Sequence, residues 1–165
     1  ISAVDQVYYR IFRFPSSILL IGNHQLVCYN IEGDIEWSIE DNNINNFQTI
    51  RNDSGLLIYF GKKIEGDDQE DSFNGIYFDN KGEQQRIDLP PQLTYIAAYK
   101  DKFLALQYAK NILVIDKNGK VEQAYSVDDD MEEIFWNPHQ PDCFYVIKQD
   151  RTLQVYSTKQ EDTQK

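Results

Sequence analysis

Few side chains in this sequence have the types and spacing that chemistry requires. The two histidines, His24 and His139, are far apart in the chain and lie beside turn-forming residues, so we interpret both as surface loop residues. The two cysteines, Cys28 and Cys143, form no Cys-x-x-Cys pair and no disulfide framework. We therefore expect no metal site, and we interpret the cysteines as ordinary strand thiols in a reducing compartment.

Motifs for nucleophilic or phosphate chemistry are also missing from the sequence. No serine stands in a Gly-x-Ser-x-Gly elbow, and neither Gly-x-Gly-x-x-Gly nor Gly-x-x-x-x-Gly-Lys occurs. Carboxylates are abundant, but their adjacency alone does not indicate acid–base catalysis. The sequence predicts a protein that is not an enzyme, with no catalytic residues and no cofactor.

Acidic side chains are the remaining candidates for a binding role. One acidic run lies at residues 65–71 and a second at residues 128–133. We expect the first to be a solvated, mobile hairpin loop and the second to connect two repeats. Each is either a tolerated solvated loop or a docking site for a basic partner. The candidate partner-binding residues are Glu65, Asp67, Asp68, Glu70, Asp71, Asp128, Asp129 and Asp130.

The overall charge bears on the class of partner. With 27 acidic and 16 basic residues, the net charge is −11, which disfavours nucleic acid and anionic lipid and favours basic protein surfaces. No apolar run approaches the roughly 18 residues of a membrane helix, and no signal peptide is visible. We expect no membrane insertion and a cytoplasmic location, with a nuclear or lumenal location as the alternatives.

The elements that would position these residues are β-strands. Hydrophobic residues make up 41% of the chain and aromatic residues 13%, a composition that favours half-buried pleated surfaces. Short apolar runs begin 37 to 47 residues apart, which brackets the roughly 40–45 residues of a four-stranded propeller blade. These runs are Leu19–Ile21, Leu56–Ile58, Phe103–Ala105 and Phe144–Val146.

Three of the repeats share a turn in which Asn or Asp is followed three positions later by glycine. The Asx side chain starts a turn by bonding to its own backbone, and the glycine supplies the positive φ that reverses the chain. We therefore expect a positive φ at each of the three glycines. The pairs are Asn30 and Gly33, Asp79 and Gly82, and Asp116 and Gly119.

These signals divide residues 1–158 into four repeats, followed by a polar tail at residues 159–165. The fourth repeat lacks a visible last strand, because the tail holds no apolar residue after Thr158. The repeats span approximately residues 7–40, 46–89, 93–127 and 131–158.

The repeats resemble WD40-type propeller blades. In that family the third strand of a blade ends in an aromatic residue followed by Asp, and the segment from Glu133 to Tyr156 is the best match here. The corresponding pairs are Tyr29-Asn30, Phe78-Asp79, Ile115-Asp116 and Tyr156-Ser157. The first repeat also resembles a quinoprotein-like blade, in which Asn30, Gly33 and Trp37 occupy the positions of Asp, Gly and a Trp that docks between neighbouring blades.

These resemblances imply an all-β fold of about four degenerate blades, part of a larger or two-chain propeller. The remaining blades would come from the same polypeptide or from a second chain. We expect the outer edge of the fourth repeat and one face of the first to be open, and the isolated chain to associate. The implied function is a protein-interaction scaffold, a propeller segment of a subunit in a multiprotein assembly. The alternatives are a lumenal quinoprotein-like sensor or chaperone-associated domain, and an enzyme with a site in the propeller channel.

Overall fold

The computed structural model describes residues 8–65, 72–127 and 129–158. Within these ranges the chain forms fifteen β-strands in four antiparallel sheets, one short 3₁₀ helix and no α-helix. The strand order in each sheet is the order along the chain. The described residues fall into two compact units, one formed by residues 8–49, 55–65 and 72–89, and the other by residues 50–54, 90–127 and 129–158.

The first unit contains sheets 1 and 2, except for Ile50 and Arg51 of sheet 2, which belong to the second unit. Sheet 1 consists of β1 (Tyr8–Arg13), β2 (Ser17–Gly22), β3 (Gln25–Asn30) and β4 (Ile35–Glu40). Sheet 2 consists of β5 (Gln48–Arg51), β6 (Gly55–Ile64), β7 (Phe73–Asp79) and β8 (Gln84–Ile87). The 3₁₀ helix Asn42–Asn45 joins them, and the Asp41 side chain caps it by accepting a hydrogen bond from the Asn43 backbone N–H at 2.7 Å.

The second unit contains sheets 3 and 4. Sheet 3 consists of β9 (Leu93–Tyr99), β10 (Lys102–Gln107), β11 (Asn111–Ile115) and β12 (Val121–Ser126). Sheet 4 consists of β13 (Met131–Trp136), β14 (Cys143–Lys148) and β15 (Leu153–Ser157). As the sequence predicted, sheet 4 has no fourth strand within the part of the chain that the structure describes.

The two faces of each sheet can be named from the third strand. Alternate residues of a strand point to opposite faces. The rear face carries the last apolar residue before the turn, namely Tyr29, Phe78, Ile115 or Tyr156. The forward face carries the residue before that one, namely Cys28, Tyr77, Val114 or Val155.

In the first unit, the forward face of sheet 1 packs against the rear face of sheet 2. Leu19 and Cys28 pair across β2 and β3 on the forward face, and they share one core cluster with Ile76 and Phe78 of the rear face. All four side chains are buried. Full burial of an aliphatic or aromatic side chain stabilises the folded state by about 1.5–3 kcal/mol, so this interface is a main source of the unit's stability.

The second unit repeats this arrangement. Leu104 and Val114 pair on the forward face of sheet 3, and they share a core cluster with Phe144 and Val146 of sheet 4. Phe144 pairs with Tyr156, which places this cluster on the rear face of sheet 4. Both units therefore use a forward face packed on a rear face.

The repeated turn has the geometry that the sequence predicted. In the second repeat, the Asp79 Oδ1 atom accepts hydrogen bonds from the backbone N–H groups of Lys81 and Glu83, both at 2.9 Å. The glycine φ values are +92° at Gly33, +90° at Gly82 and +84° at Gly119. The prediction of positive φ is thus confirmed at all three turns.

Gly82 is expected to tolerate substitution less well than Gly33, although the two share nearly the same φ. A Cβ at Gly82 would lie 2.9 Å from Phe14 Cβ and 3.0 Å from Ser16 Oγ, whereas a Cβ at Gly33 meets nothing within 4 Å. Both alanine variants incur backbone strain of about 1 kcal/mol, and G82A adds overpacking of about 1–2 kcal/mol. Urea unfolding of G82A and G33A measures the difference, and equal destabilisation would show that the Phe14 contact is absent in solution.

Candidate interaction surface

The predicted acidic site residues are only partly within the described residues. Five of the candidates lie outside them, namely Asp67, Asp68, Glu70, Asp71 and Asp128. Glu65 is described, and its backbone N–H donates to the Asp41 Oδ2 atom at 3.0 Å. Glu65 therefore lies beside the cap of the 3₁₀ helix, in the first unit.

Asp129 and Asp130 lie in one connection of the second unit, and each is close to a lysine. Asp129 Oδ2 is 2.6 Å from Lys148 Nζ, and Asp130 Oδ1 is 3.6 Å from Lys110 Nζ. The hydrogen bond to Asp129 raises the pKa of Lys148 above its usual value. Because exposed ion pairs stabilise a fold only weakly, these pairs do little to hold the connection, and they partly neutralise the carboxylates that a basic partner would contact.

The histidines and cysteines do not converge on a site. His24 lies in the β2–β3 turn with φ +61°, and it is partly buried rather than fully exposed as the sequence suggested. His139 is exposed, with its backbone N–H donating to the Asn137 side chain at 3.0 Å. Cys28 and Cys143 are both free thiols. Within residues 8–65, 72–127 and 129–158, no group of three or more His, Cys, Asp or Glu side chains is placed to hold a metal ion.

Because of Cys28, the free energy of unfolding of the first unit is expected to fall at alkaline pH. Burial, with the hydrogen bond from Sγ to Glu36 Oε2 at 3.5 Å, raises the pKa of this thiol to about 11. The folded state thus retains the proton, and the resulting stability is complete below about pH 8.5, where the unfolded thiol ionises. Stability is lost as pH rises from there through 11.

We expect the free energy of unfolding to fall by roughly 1–2 kcal/mol more in the native chain than in C28A between pH 8 and pH 10.5. Guanidinium unfolding at the two pH values measures this difference. Parallel falls in the two proteins would show that other groups, such as Tyr59, whose pKa burial also raises, account for the whole pH dependence.

The forward face of sheet 4 carries exposed apolar residues that the charges and motifs of the sequence did not identify. Phe135, Leu153 and Val155 are 40%, 58% and 53% exposed. The Phe135 ring stacks on Tyr145 with centroids 5.2 Å apart and an interplanar angle of 11°. Phe135, Tyr145 and Val155 are direct cross-strand partners, so they form one continuous apolar row across β13, β14 and β15.

Equivalent positions in the other sheets show that exposure at Val155 is unusual. Cys28, Tyr77 and Val114 precede the last apolar residue of their third strands as Val155 does, and they are only 0%, 3% and 2% exposed. The same position is therefore covered in three sheets and open in the fourth.

The rear face of sheet 1 is open at its two outer strands, whereas Val27 on the inner strand β3 of the same face is buried. Ile11 and Ile35, on β1 and β4, are 69% and 59% exposed, and Tyr29, which pairs with Ile35 on this face, is only partly buried. The sequence predicted an open face on the first repeat, and the structure supplies its residues. On the fourth repeat the sequence predicted an open outer edge, and the exposed residues Leu153 and Val155 lie on its outer strand β15, on the forward face of the sheet.

No protein-family model and no curated protein matches the sequence. Solved structures do match. The computationally designed Ika4 protein has a TM-score of 0.52 at 9% identity, with 96% of each chain covered. Hsv2 from Kluyveromyces marxianus has a TM-score of 0.53 at 11% identity, with 98% of this chain and 50% of that chain covered. BBS1N, crystallised with ARL6DN, has a TM-score of 0.50 at 12% identity, with 97% and 54% covered.

Hsv2 and BBS1N are propeller-like proteins. The four sheets are propeller blades. The predicted fold class, all-β with about four blades, is therefore confirmed. The chain spans about half the length of the Hsv2 and BBS1N chains that it matches, and identities of 11–12% establish a common fold alone.

Proposed function

We propose that this chain is a non-catalytic interaction scaffold, a β-propeller segment of a subunit in a larger multiprotein assembly. The observation that carries the proposal is the exposed aromatic and aliphatic face formed by Phe135, Tyr145, Leu153 and Val155. Contiguous apolar surface with stacked aromatic side chains is typical of protein contact sites, whose centres are enriched in aromatic residues and depleted of charge.

The charge distribution favours particular partners. The net charge of −11 attracts basic protein surfaces from a distance and disfavours phosphate backbones. No helix within the described part of the chain is long and apolar enough to cross a membrane. We place the assembly in the cytoplasm, and the resemblance of the repeats to WD40-type blades supports a role in holding protein subunits together.

A lumenal quinoprotein-like sensor or chaperone-associated domain is the second candidate, and the environment of Trp37 favours it. Trp37 is partly buried against the core cluster between sheets 1 and 2. The Arg86 guanidinium lies over its ring at 5.6 Å, within the range of a cation–π contact. A Trp that docks between neighbouring blades is the feature by which the first repeat resembles that family.

Asn52 begins the only Asn-x-Ser/Thr glycosylation sequon of the sequence, Asn52-Asp53-Ser54, so its modification tests the lumenal candidate. Its side-chain nitrogen, which would carry a glycan, donates to the Lys102 carbonyl at 3.2 Å, and the residue is partly buried. A glycan on Asn52 of the natively expressed protein would favour the lumenal candidate over the cytoplasmic scaffold. We expect intact mass spectrometry to find Asn52 unmodified.

Site-specific photo-crosslinking in cells tests the scaffold proposal. A benzophenone side chain at Val155 is expected to give discrete protein adducts, whereas the same probe at Lys117, in the exposed β11–β12 turn, is expected to give none. The masses and peptides of the adducts identify the partner. Absence of any protein adduct from Val155 and from a second probe at Leu153 would overturn the proposal.

A further inference from the structure

Sheets in both units pack in the same sense. In the first unit the forward face of sheet 1 covers the rear face of sheet 2, and Phe78 on that rear face is fully buried. In the second unit the forward face of sheet 3 covers the rear face of sheet 4, where Phe144 and Tyr156 stack with centroids 5.3 Å apart. The contact is thus directional, because it always joins unlike faces.

The two open faces are of opposite kinds. Sheet 4 exposes a forward face, with Val155 and Leu153 on its outer strand β15, and sheet 1 exposes the outer strands of a rear face, with Ile11 on β1 and Ile35 on β4. Each open face is therefore of the kind that the other packs against within the units. Tyr29, on this rear face, occupies the position of Phe78 and Tyr156, the aromatic residues that the rear faces of sheets 2 and 4 contribute to their core clusters.

We propose that these faces join two copies of this chain, with the forward face of sheet 4 in one copy packed on the rear face of sheet 1 in the other. The inference rests on the proposed interaction function and names its first partner, a second copy. An interface that joins unlike patches is heterologous, and two copies related by it form two identical junctions when the rotation closes.

The number of sheets supports a second copy as the occupant. Propellers typically contain four to eight blades, and two copies joined at both junctions supply eight sheets and use each open face once. The chain covers 50% of Hsv2 and 54% of BBS1N, so two copies have about the length of either of those chains. A second copy also provides one apolar rear face for each exposed forward face, so every open face has a partner.

Sedimentation of the full 165-residue chain tests the inference. The native chain is expected to sediment at twice its mass of 19.4 kDa. A charge placed on either face should break both junctions, so V155D and I35D are each expected to sediment at the mass of a single chain. The matched control is I31D, since Ile31 is slightly more exposed than Ile35 but lies in the β3–β4 turn, and it is expected to remain a dimer.

Mixing the two variants distinguishes this junction from its alternatives. V155D retains an intact rear face and I35D an intact forward face, so an equimolar mixture can form one undamaged junction and is expected to regain a mixed dimer. A dimer formed by two like faces would not be regained on mixing. Circular dichroism and urea unfolding establish that each variant is folded before its mass is measured by sedimentation.

Three results would overturn the inference: a native chain that stays monomeric across a hundredfold range of concentration, a dimer that survives both V155D and I35D, and a mixture that stays monomeric. A monomeric native chain whose Val155 probe crosslinks to a different protein in cells would overturn the second-copy inference and leave the scaffold proposal standing. A monomeric native chain whose Val155 and Leu153 probes give no protein adduct would overturn both the second-copy inference and the scaffold proposal.

Discussion

Replacing Phe144 with alanine is expected to lower the free energy of unfolding by about 3–5 kcal/mol, the cost of a large cavity in a packed core. Phe144 is fully buried between sheets 3 and 4. Its ring stacks on Tyr156 at 5.3 Å and contacts Tyr125 at 6.1 Å between centroids. The variant therefore removes aromatic contacts on both sides of the interface, and urea unfolding followed by tryptophan fluorescence measures the loss.

Phe135 provides the matched control for this experiment. It lies on the neighbouring strand of the same sheet but on the open face, where it is 40% exposed. F135A is expected to cost less than about 1.5 kcal/mol in the monomer, since less apolar surface is returned to water. An F144A variant no less stable than F135A would contradict the packing of sheet 4 on sheet 3.

Replacing Asn74 with alanine is expected to cost about 2–4 kcal/mol. The Asn74 side chain, on β7, forms two hydrogen bonds with the backbone of Leu89: its Nδ2 donates to the Leu89 carbonyl at 3.0 Å, and its Oδ1 accepts from the Leu89 N–H at 2.7 Å. Asn74 and Leu89 are both buried. The variant leaves two buried backbone groups without these partners, at about 1–3 kcal/mol each.

Asn43 is a suitable comparison because it makes a similar bond at the surface. Its Nδ2 donates to the Lys63 carbonyl at 3.0 Å in an exposed setting, where water replaces the lost partner. N43A is expected to cost less than about 1 kcal/mol. Thermal and urea unfolding of the two variants should therefore separate them clearly, and equal losses would mean that Leu89 is hydrated in solution.

Local features of the fold could be predicted from the sequence because their causes are local. The turn glycines at positions 33, 82 and 119 follow from an Asx residue three positions earlier, and the φ values agree. The apolar runs located the strands, but with one error of register. Tyr29 pairs with Ile18, not Leu19, whereas its counterpart Phe78 pairs with Leu56. An offset of one residue exchanges the two faces of a strand.

The candidate surface could be predicted only in part, because it depends on what covers each face. Val155 and Val114 are the same residue type at the same position of a repeat, yet only Val155 is exposed. Nothing in the local sequence distinguishes them. The pairing of Asp129 with Lys148, nineteen residues away, likewise depends on the β13–β14 register, which charge counting does not reveal.

The order of the strands has a consequence for how the chain reaches this structure. In every sheet the hydrogen-bonded neighbours are also neighbours along the chain, so each pairing closes a short loop and loses little chain entropy. Topologies with such local pairings fold faster than those that join distant segments. Each sheet can therefore form while the next is still being synthesised, and the slow step is expected to be the stacking of completed sheets rather than the pairing of strands.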